Sequence, residues 1–314
     1  MNRASRRPLG VFLGIVAACG SPGKYASLPS ESGTLPGDTH APDREATPPV
    51  RPPLAQPARF LRRVALDLTG HLPSPAALRR VADDPSLLDA EVAALITDPL
   101  LTERMVHLLD ERWHLRVEAM PVGPEDYGWD AHLRYQLARE MAEEPLRLMA
   151  EVIRTDASWN TVVESETTMA TPLLASVWPL ALAEPGAEGW QPATWTDHRP
   201  TVGVLASNGL WWRYNTTFFN YNRTRAAALS RLLLCYDYLE LLVEFESPSL
   251  GDTDGTETAI RENPGCTVCH DTLDPIAAAM FGFWAYDLYD PLELSRYHPE
   301  REPLGSVYLG VAPA

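Results

Sequence analysis

Positive charge is scarce in this chain. Against 42 Asp and Glu stand only 26 Lys and Arg, a net charge of −16 over 314 residues. A surface of that sign repels nucleic acid phosphates and anionic membranes. Nucleic acid is therefore excluded as a partner, and a basic protein suits the chain better. Also missing is any apolar run of the roughly 20 residues that a membrane-spanning helix needs. No segment sustains the two-residue alternation of a half-buried strand, so no sheet is expected, and no internal repeat occurs. Phosphate-loop and dinucleotide fingerprints are absent, and Ser207 in "VLASNGL" lacks the first glycine of a nucleophile elbow. Cysteine is confined to four positions, Cys19, Cys235, Cys266 and Cys269.

What is present is ordinary globular material. Hydrophobic residues make up 45% and charged residues 22%, enough to bury a core, and the length leaves room for about two domains. At the N-terminus, Arg3, Arg6 and Arg7 precede an apolar run from Leu9 to Ala18, and Cys19 follows. A basic flank, a short apolar core and a small-residue exit describe a secretory signal over residues 1–18. Val16-Ala17-Ala18-Cys19-Gly20 also resembles the cleavage box of bacterial lipoproteins, in which the cysteine is lipidated and becomes the first mature residue. The expectation is export, to the periplasm or the outer membrane, with a lipid on Cys19 as the membrane anchor. An ordinary signal peptide cut nearby is the alternative. Removing residues 1–18 takes three arginines with it and leaves a net charge near −19.

Residues 19–56 are rich in proline, and their only aromatic is Tyr25. Such a stretch cannot bury enough apolar surface to offset chain entropy, and it reads as a disordered tether. Helical patterns then take over. "PARFLRRVALDLTG" sets Phe60, Leu61, Val64, Ala65 and Leu68 along one face, with Gly70 as the stop. Ser74-Pro75 and Asp98-Pro99 look like N-caps followed by proline at the first helical position. "SLLDAEVAALITD", "PLLTERMVHLLDERWHLR", "WDAHLRYQLAREMAEE" and "PLRLMAEVIRT" continue in the same style. The expected fold is mainly α, an irregular multi-helix body. It comprises a helical domain over 57–183, a linker loop over 184–200, and a second helical region over 201–314 that carries a C-terminal c-type haem-binding segment. In that second region "NRTRAAALSRLLLCYDYLELLVEF" reads as one long helix with Cys235 as a small core hydrophobe.

The haem expectation comes from "NPGCTVCHDTLDP". Cys266-Thr-Val-Cys269-His270 fits the c-type haem attachment pattern. Two thiols must reach two vinyl groups on one edge of the ring, and the next residue then offers its imidazole to the iron. Export fits as well, because such haems are attached outside the cytoplasm. Rival readings remain open. A dithiol centre would sit at a helix start after a strand, a zinc site would need two more ligands, and a disulfide across so short a ring would be strained. Asp274-Pro275 reads as the cap and first residue of the helix "IAAAMFGFWAY". Ala277, Ala278, Ala279 and Gly282 leave room for a flat ring, and Phe281, Phe283 and Trp284 either wall a haem pocket or form ordinary core.

"CTVCHDTLDPIAAAMFGF" resembles the C-x-x-C-H-x-x-x-D-P signature of the planctomycete- and myxobacterial-type exported cytochrome-c-like proteins. "GVLASNGLWWRYNTTFFNYNRTRAAALSRLLLC", "TMATPLLASVW" and "FLRRVALDLTGHLPSPAALRRV" are similar to other segments of that family, in the same order. The resemblance spans roughly residues 58–290. It implies a helical exported protein with one covalent haem c, Cys266 and Cys269 as attachment points and His270 as the proximal ligand. It names no reaction. Ala170-Thr171 stands where the family usually has asparagine, and Leu273 where it commonly has methionine. Family members usually continue well past the haem motif, so the resemblance leads one to expect a longer chain than one ending at Ala314.

The ligand opposite His270 decides what such a haem does. Methionine or histidine there closes the iron for electron transfer, and an open position admits a small molecule. Met280, His298 and His198 are the candidates. His71, His107, His114 and His132 read as surface histidines. "DTDGTE", Asp252–Glu257, faintly resembles a calcium loop with a misplaced glycine. Three functions follow as expectations: electron transfer to a redox partner protein of basic character; a haem-dependent enzyme acting on a small oxidant; or a non-catalytic surface lipoprotein with a structural haem or disulfide.

Overall fold

A polar side chain followed by proline opens one helix after another. Ser74-Pro75, Asp98-Pro99, Thr171-Pro172, Asn263-Pro264 and Asp290-Pro291 each put a side-chain oxygen on a backbone N–H of the first turn. Proline at the first helical position gives up an N–H that has no partner within the helix anyway. The structure, a computed structural model, describes residues 56–241, 253–285 and 287–312. The signal, Cys19 and nearly all of the tether lie outside these residues. Among the described residues no helix is long and apolar enough to cross a membrane.

The chain is mainly helical. In order it forms α1 (Pro57–Thr69), α2 (Pro75–Asp83), α3 (Leu88–Ile96), α4 (Pro99–Trp113), α5 (Arg134–Arg154), α6 (Thr161–Glu164), β1 (Thr168–Ala170), α7 (Pro172–Val177), β2 (Leu180–Leu182) and β3 (Gln191–Trp195). Then come α8 (Asn208–Arg213), α9 (Arg223–Leu233), α10 (Thr253–Glu262), α11 (Pro264–Ala279), α12 (Pro291–Leu294) and α13 (Glu302–Leu309). Gly70 ends α1 in the left-handed conformation, at φ 73°. Leu61, Ala77, Val81 and Val92 close a small core among α1, α2 and α3. The largest core gathers α4, α5, α8, α9, α11 and α13.

Four expectations need correction. A sheet exists: β1 and β2 flank β3, both antiparallel to it. Its strands are three to five residues long and Pro192 sits in the central one, too short and too interrupted to show an alternating pattern. Consequently the stretch 184–200 is no linker, because it supplies that central strand, and residues 54–314 form one unit. Arg199, next to β3, has no exposed side-chain surface; it pairs with Asp197 at 2.6 Å and donates to the Ser295 carbonyl at 3.1 Å, across to the C-terminal part. The two segments "WDAHLRYQLAREMAEE" and "PLRLMAEVIRT" merge into the single helix α5, with Pro145 inside it. The Met141 carbonyl, which Pro145 cannot serve, lies against Gly209 of α8. Finally, the long helix around Cys235 stops at Leu233. Cys235 is exposed with φ 53°, and the Tyr236 N–H turns back to the Ser230 carbonyl at 3.2 Å, a left-handed helix ending.

Buried polar groups tie these layers together. Glu144 of α5 is fully buried and accepts from Thr168 of β1 and Ser207, the N-cap of α8. Burial pushes the Glu144 carboxyl up to about 7, against the opposing pull of those two hydroxyls. The folded protein therefore holds a proton there that the unfolded chain has released, and stability falls as pH rises from about 4.5 to about 7. The loss is on the order of 3 kcal/mol. Glu144→Gln is expected to flatten that slope in denaturant titrations run at pH 5 and pH 8. An unchanged slope would locate the titration elsewhere. A Cβ on Gly209 would overlap the Met141 carbonyl oxygen, so Gly209→Ala should destabilise the fold by roughly 1–3 kcal/mol. Urea unfolding with an unchanged midpoint would contradict that close approach.

Candidate functional site

Asn263 closes α10 and opens α11. Its N–H bonds the Ala259 carbonyl at 2.9 Å, while its side chain accepts from Gly265 N–H at 2.8 Å and its carbonyl from Cys266 N–H at 2.9 Å. The helix carrying the motif thus starts at Pro264, eleven residues before the Pro275 start expected from sequence, and Pro275 lies inside it. The motif is helical throughout, and helix α10 rather than a loop precedes it. For the Asp252–Glu257 calcium reading, the backbone is already helical from Thr253, and the side chains of its acidic residues lie outside the described residues. Among the described residues no group of three or more His, Cys, Asp and Glu side chains is placed to hold a metal ion.

Helical spacing gathers the motif residues. Positions three and four apart share a face, so Cys266, Cys269 and His270 line up with Leu273, Asp274 and Ala277. The last three are buried, whereas both cysteines and His270 are half-buried, and Val268 points out to solvent. Both cysteines are free thiols. Burial, then the neighbouring Cys266, pushes the Cys269 thiol up, so near neutral pH it stays protonated.

His270 is held. Its Nδ1 lies 2.9 Å from Oδ1 of Asp274, one turn further on. Asp274 in turn accepts two bonds of 2.8 Å from Nε and Nη2 of Arg223, the first residue of α9. Burial works to raise the Asp274 carboxyl, but the Arg223 and His270 bonds outweigh it and hold it below the usual carboxylate range. Nε2 of His270 has no hydrogen bond among the described residues. Two residues on, Arg225 is fully buried and donates to the carbonyls of Tyr214, Trp211 and Phe283 and to the Asn222 side chain. Desolvation pushes its guanidinium down to about 9, so it remains charged at neutral pH. Asn222 itself donates to the Met280 carbonyl at 3.1 Å.

The three candidates for the ligand opposite His270 differ in their surroundings. Met280 is core, ten residues and so about 15 Å along the chain from His270 at helical rise. His298 is buried rather than solvated, with Nδ1 3.1 Å from Glu300 and Nε2 2.9 Å from the Glu293 carbonyl, so both ring nitrogens are engaged. His198 is exposed in the turn between Asp197 and Arg199, residues bound to Tyr297 and Ser295. His71, His107, His114 and His132 are all exposed, as surface histidines should be. Phe281 and Ala277 are ordinary core, and Gly282 is needed because a Cβ there would strike the Tyr297 ring.

Sequence reasoning missed Arg223, Arg225 and the Asp274–His270 contact. The i,i+4 spacing of His270 and Asp274 is the one local signal of the contact, and it competes with the reading of Asp274 as a helix cap. The chain matches no family model, no curated protein and no solved structure. Arg225→Ala would strand several buried carbonyls at roughly 1–3 kcal/mol each, and should cost more than about 3 kcal/mol in denaturant titration. Arg296→Ala, on an exposed side chain, should stay within about 0.5 kcal/mol. Equal effects would show that Arg225 organises nothing.

Proposed function

We propose that this chain is an exported, membrane-tethered protein that carries one covalent haem c and passes electrons, akin to the cytochrome-c-like family that its motifs resemble. One observation carries the reading. Two free thiols and an imidazole share one half-buried side of α11, and the imidazole is anchored through Nδ1 while Nε2 has no hydrogen bond among the described residues. That donor set fits the group. Cys266 and Cys269 would hold it by adding across two vinyl groups, each sulfur bonding one vinyl carbon and its proton going to the other, with no net oxidation. His270 would hold the iron through Nε2. When bound, haem supplies a one-electron iron couple. The residues of this chain would hold the ring edge through Cys266 and Cys269 and fix the imidazole through Asp274.

The N-terminal pattern ending at Cys19 supports export and a lipid anchor. The net charge of −16 favours a redox partner with a basic docking face, whose encounter would slow as salt screens the attraction. A second reading has its own observation. Met280 and His298 are committed to the core and to other partners, which favours a haem-dependent enzyme whose iron takes a small oxidant opposite His270.

Full-length protein made in a bacterial host with haem-attachment machinery tests the proposal. The expected outcome is one covalent haem per chain on a haem-stained denaturing gel, lost in the Cys266→Ala/Cys269→Ala double variant. Wild-type protein that folds but carries no covalent haem overturns it. A spectral change on adding cyanide or carbon monoxide favours the oxidant reading, and a spectrum indifferent to both leaves electron transfer.

A further inference from the structure

We propose that Asp274, gripped by Arg223, is a positioning residue for His270. It holds the imidazole as the Nδ1–H tautomer, presents Nε2 as the electron-pair donor, and lends the ring anionic character. The inference rests on the haem reading and deepens it by assigning how the iron's protein ligand is aimed and tuned.

The geometry assigns the oxygens. Arg223 comes from a different helix, 51 positions earlier in sequence, and its planar fork takes both carboxylate oxygens of Asp274. Such a bidentate grip stops the carboxylate from rotating. Oδ1, already accepting Arg223 Nε, keeps its remaining lone pair for His270 Nδ1 at 2.9 Å. The Asp274 side chain is 5% exposed and that of His270 22%. Exposed i,i+4 pairs tie up two mobile side chains for little gain. Here the acceptor is immobilised first, by a partner on another element, and the histidine meets an oxygen already in place. The Arg223 fork by itself would satisfy a buried Asp274, so the contact to His270 is not needed to keep the carboxylate buried. Ligating histidines elsewhere have the same need, a partner on the second nitrogen that fixes tautomer and ring plane and raises basicity.

Two measurements test this separately from the haem itself. In the haem-free full chain, nitrogen NMR at a pH where the ring is neutral should find the His270 proton on Nδ1. A proton on Nε2 overturns the inference whether or not haem is ever bound. In the haem-loaded chain, Asp274→Asn keeps an acceptor oxygen and removes the charge. It should shift the iron–histidine stretch to lower frequency and the reduction potential upward, with covalent haem content unchanged. Arg223→Gln, which frees the carboxylate to rotate, should shift both in the same direction by less, and Arg296→Gln should shift neither. A haem-loaded Asp274→Asn protein with wild-type stretch and potential overturns the inference. Wild-type protein without haem defeats the proposed function instead and leaves the tautomer measurement standing.

Discussion

The bidentate pair between Arg223 and Asp274 is the contact on which the motif's geometry turns. It joins the start of α9 to the middle of α11, and it does so from the Asp274 carboxylate that also meets His270. Two residues along, Arg225 gathers three carbonyls and one amide oxygen from the segments 211–222 and 283. The residues are neighbours on one helix with different tasks: one fork takes a carboxylate, the other takes neutral oxygens. Lysine does neither well, since its compact ammonium lacks the planar fork. The described residues contain no lysine at all.

The same device recurs away from the motif. Glu143 is buried on α5 and receives Arg116, Arg139 and Arg147. Burial alone would raise its carboxyl, yet the Arg139 and Arg147 bonds overcome that and hold it low. Asp197 and Arg199 repeat the pattern between the sheet and the C-terminal part. Buried ion pairs of this kind add little net stability over well-packed apolar residues, but losing one partner is costly. Their consequence here is specificity of arrangement. A helix slipped by one position would leave a buried charge without its partner, so these pairs reject the near-misses that apolar packing would tolerate.

Local rules were legible in the sequence wherever one residue or one cap decides the outcome. Gly70 ends α1, and Ser74 and Asp98 cap α2 and α4, as their side-chain chemistry requires. What failed were features set by distant residues. Gln191–Trp195 is a strand because β1 and β2 pair with it, although Pro192 argues locally against it. Pro145 is tolerated inside α5 where the backbone of Gly209 approaches the turn it disturbs. At the motif, proline misled twice in opposite directions. Pro264 opens α11, and Pro275, which has the local look of a helix start, lies inside it. The motif residues themselves were found by spacing alone, while Arg223, which aims His270 through Asp274, lies 47 residues before it and leaves no local mark.

The corrected start of α11 also disposes of the one departure from the family pattern inside the motif. With a helix running from Pro264, Leu273 lies one turn beyond His270 on the same side, buried at 8% in the main core. A side chain there rises only about 4.5 Å from the histidine along a shared helix. It therefore cannot reach across an iron to the face opposite His270, whatever its chemistry. Methionine at this position would fill core space, and exchanging Leu for Met in a core costs less than about 1.5 kcal/mol. The leucine is thus a packing choice, and it says nothing against haem. The same stripe fixes the rotation of α11: burying Leu273 and Ala277 against the core sets which way Cys266, Cys269 and His270 must point.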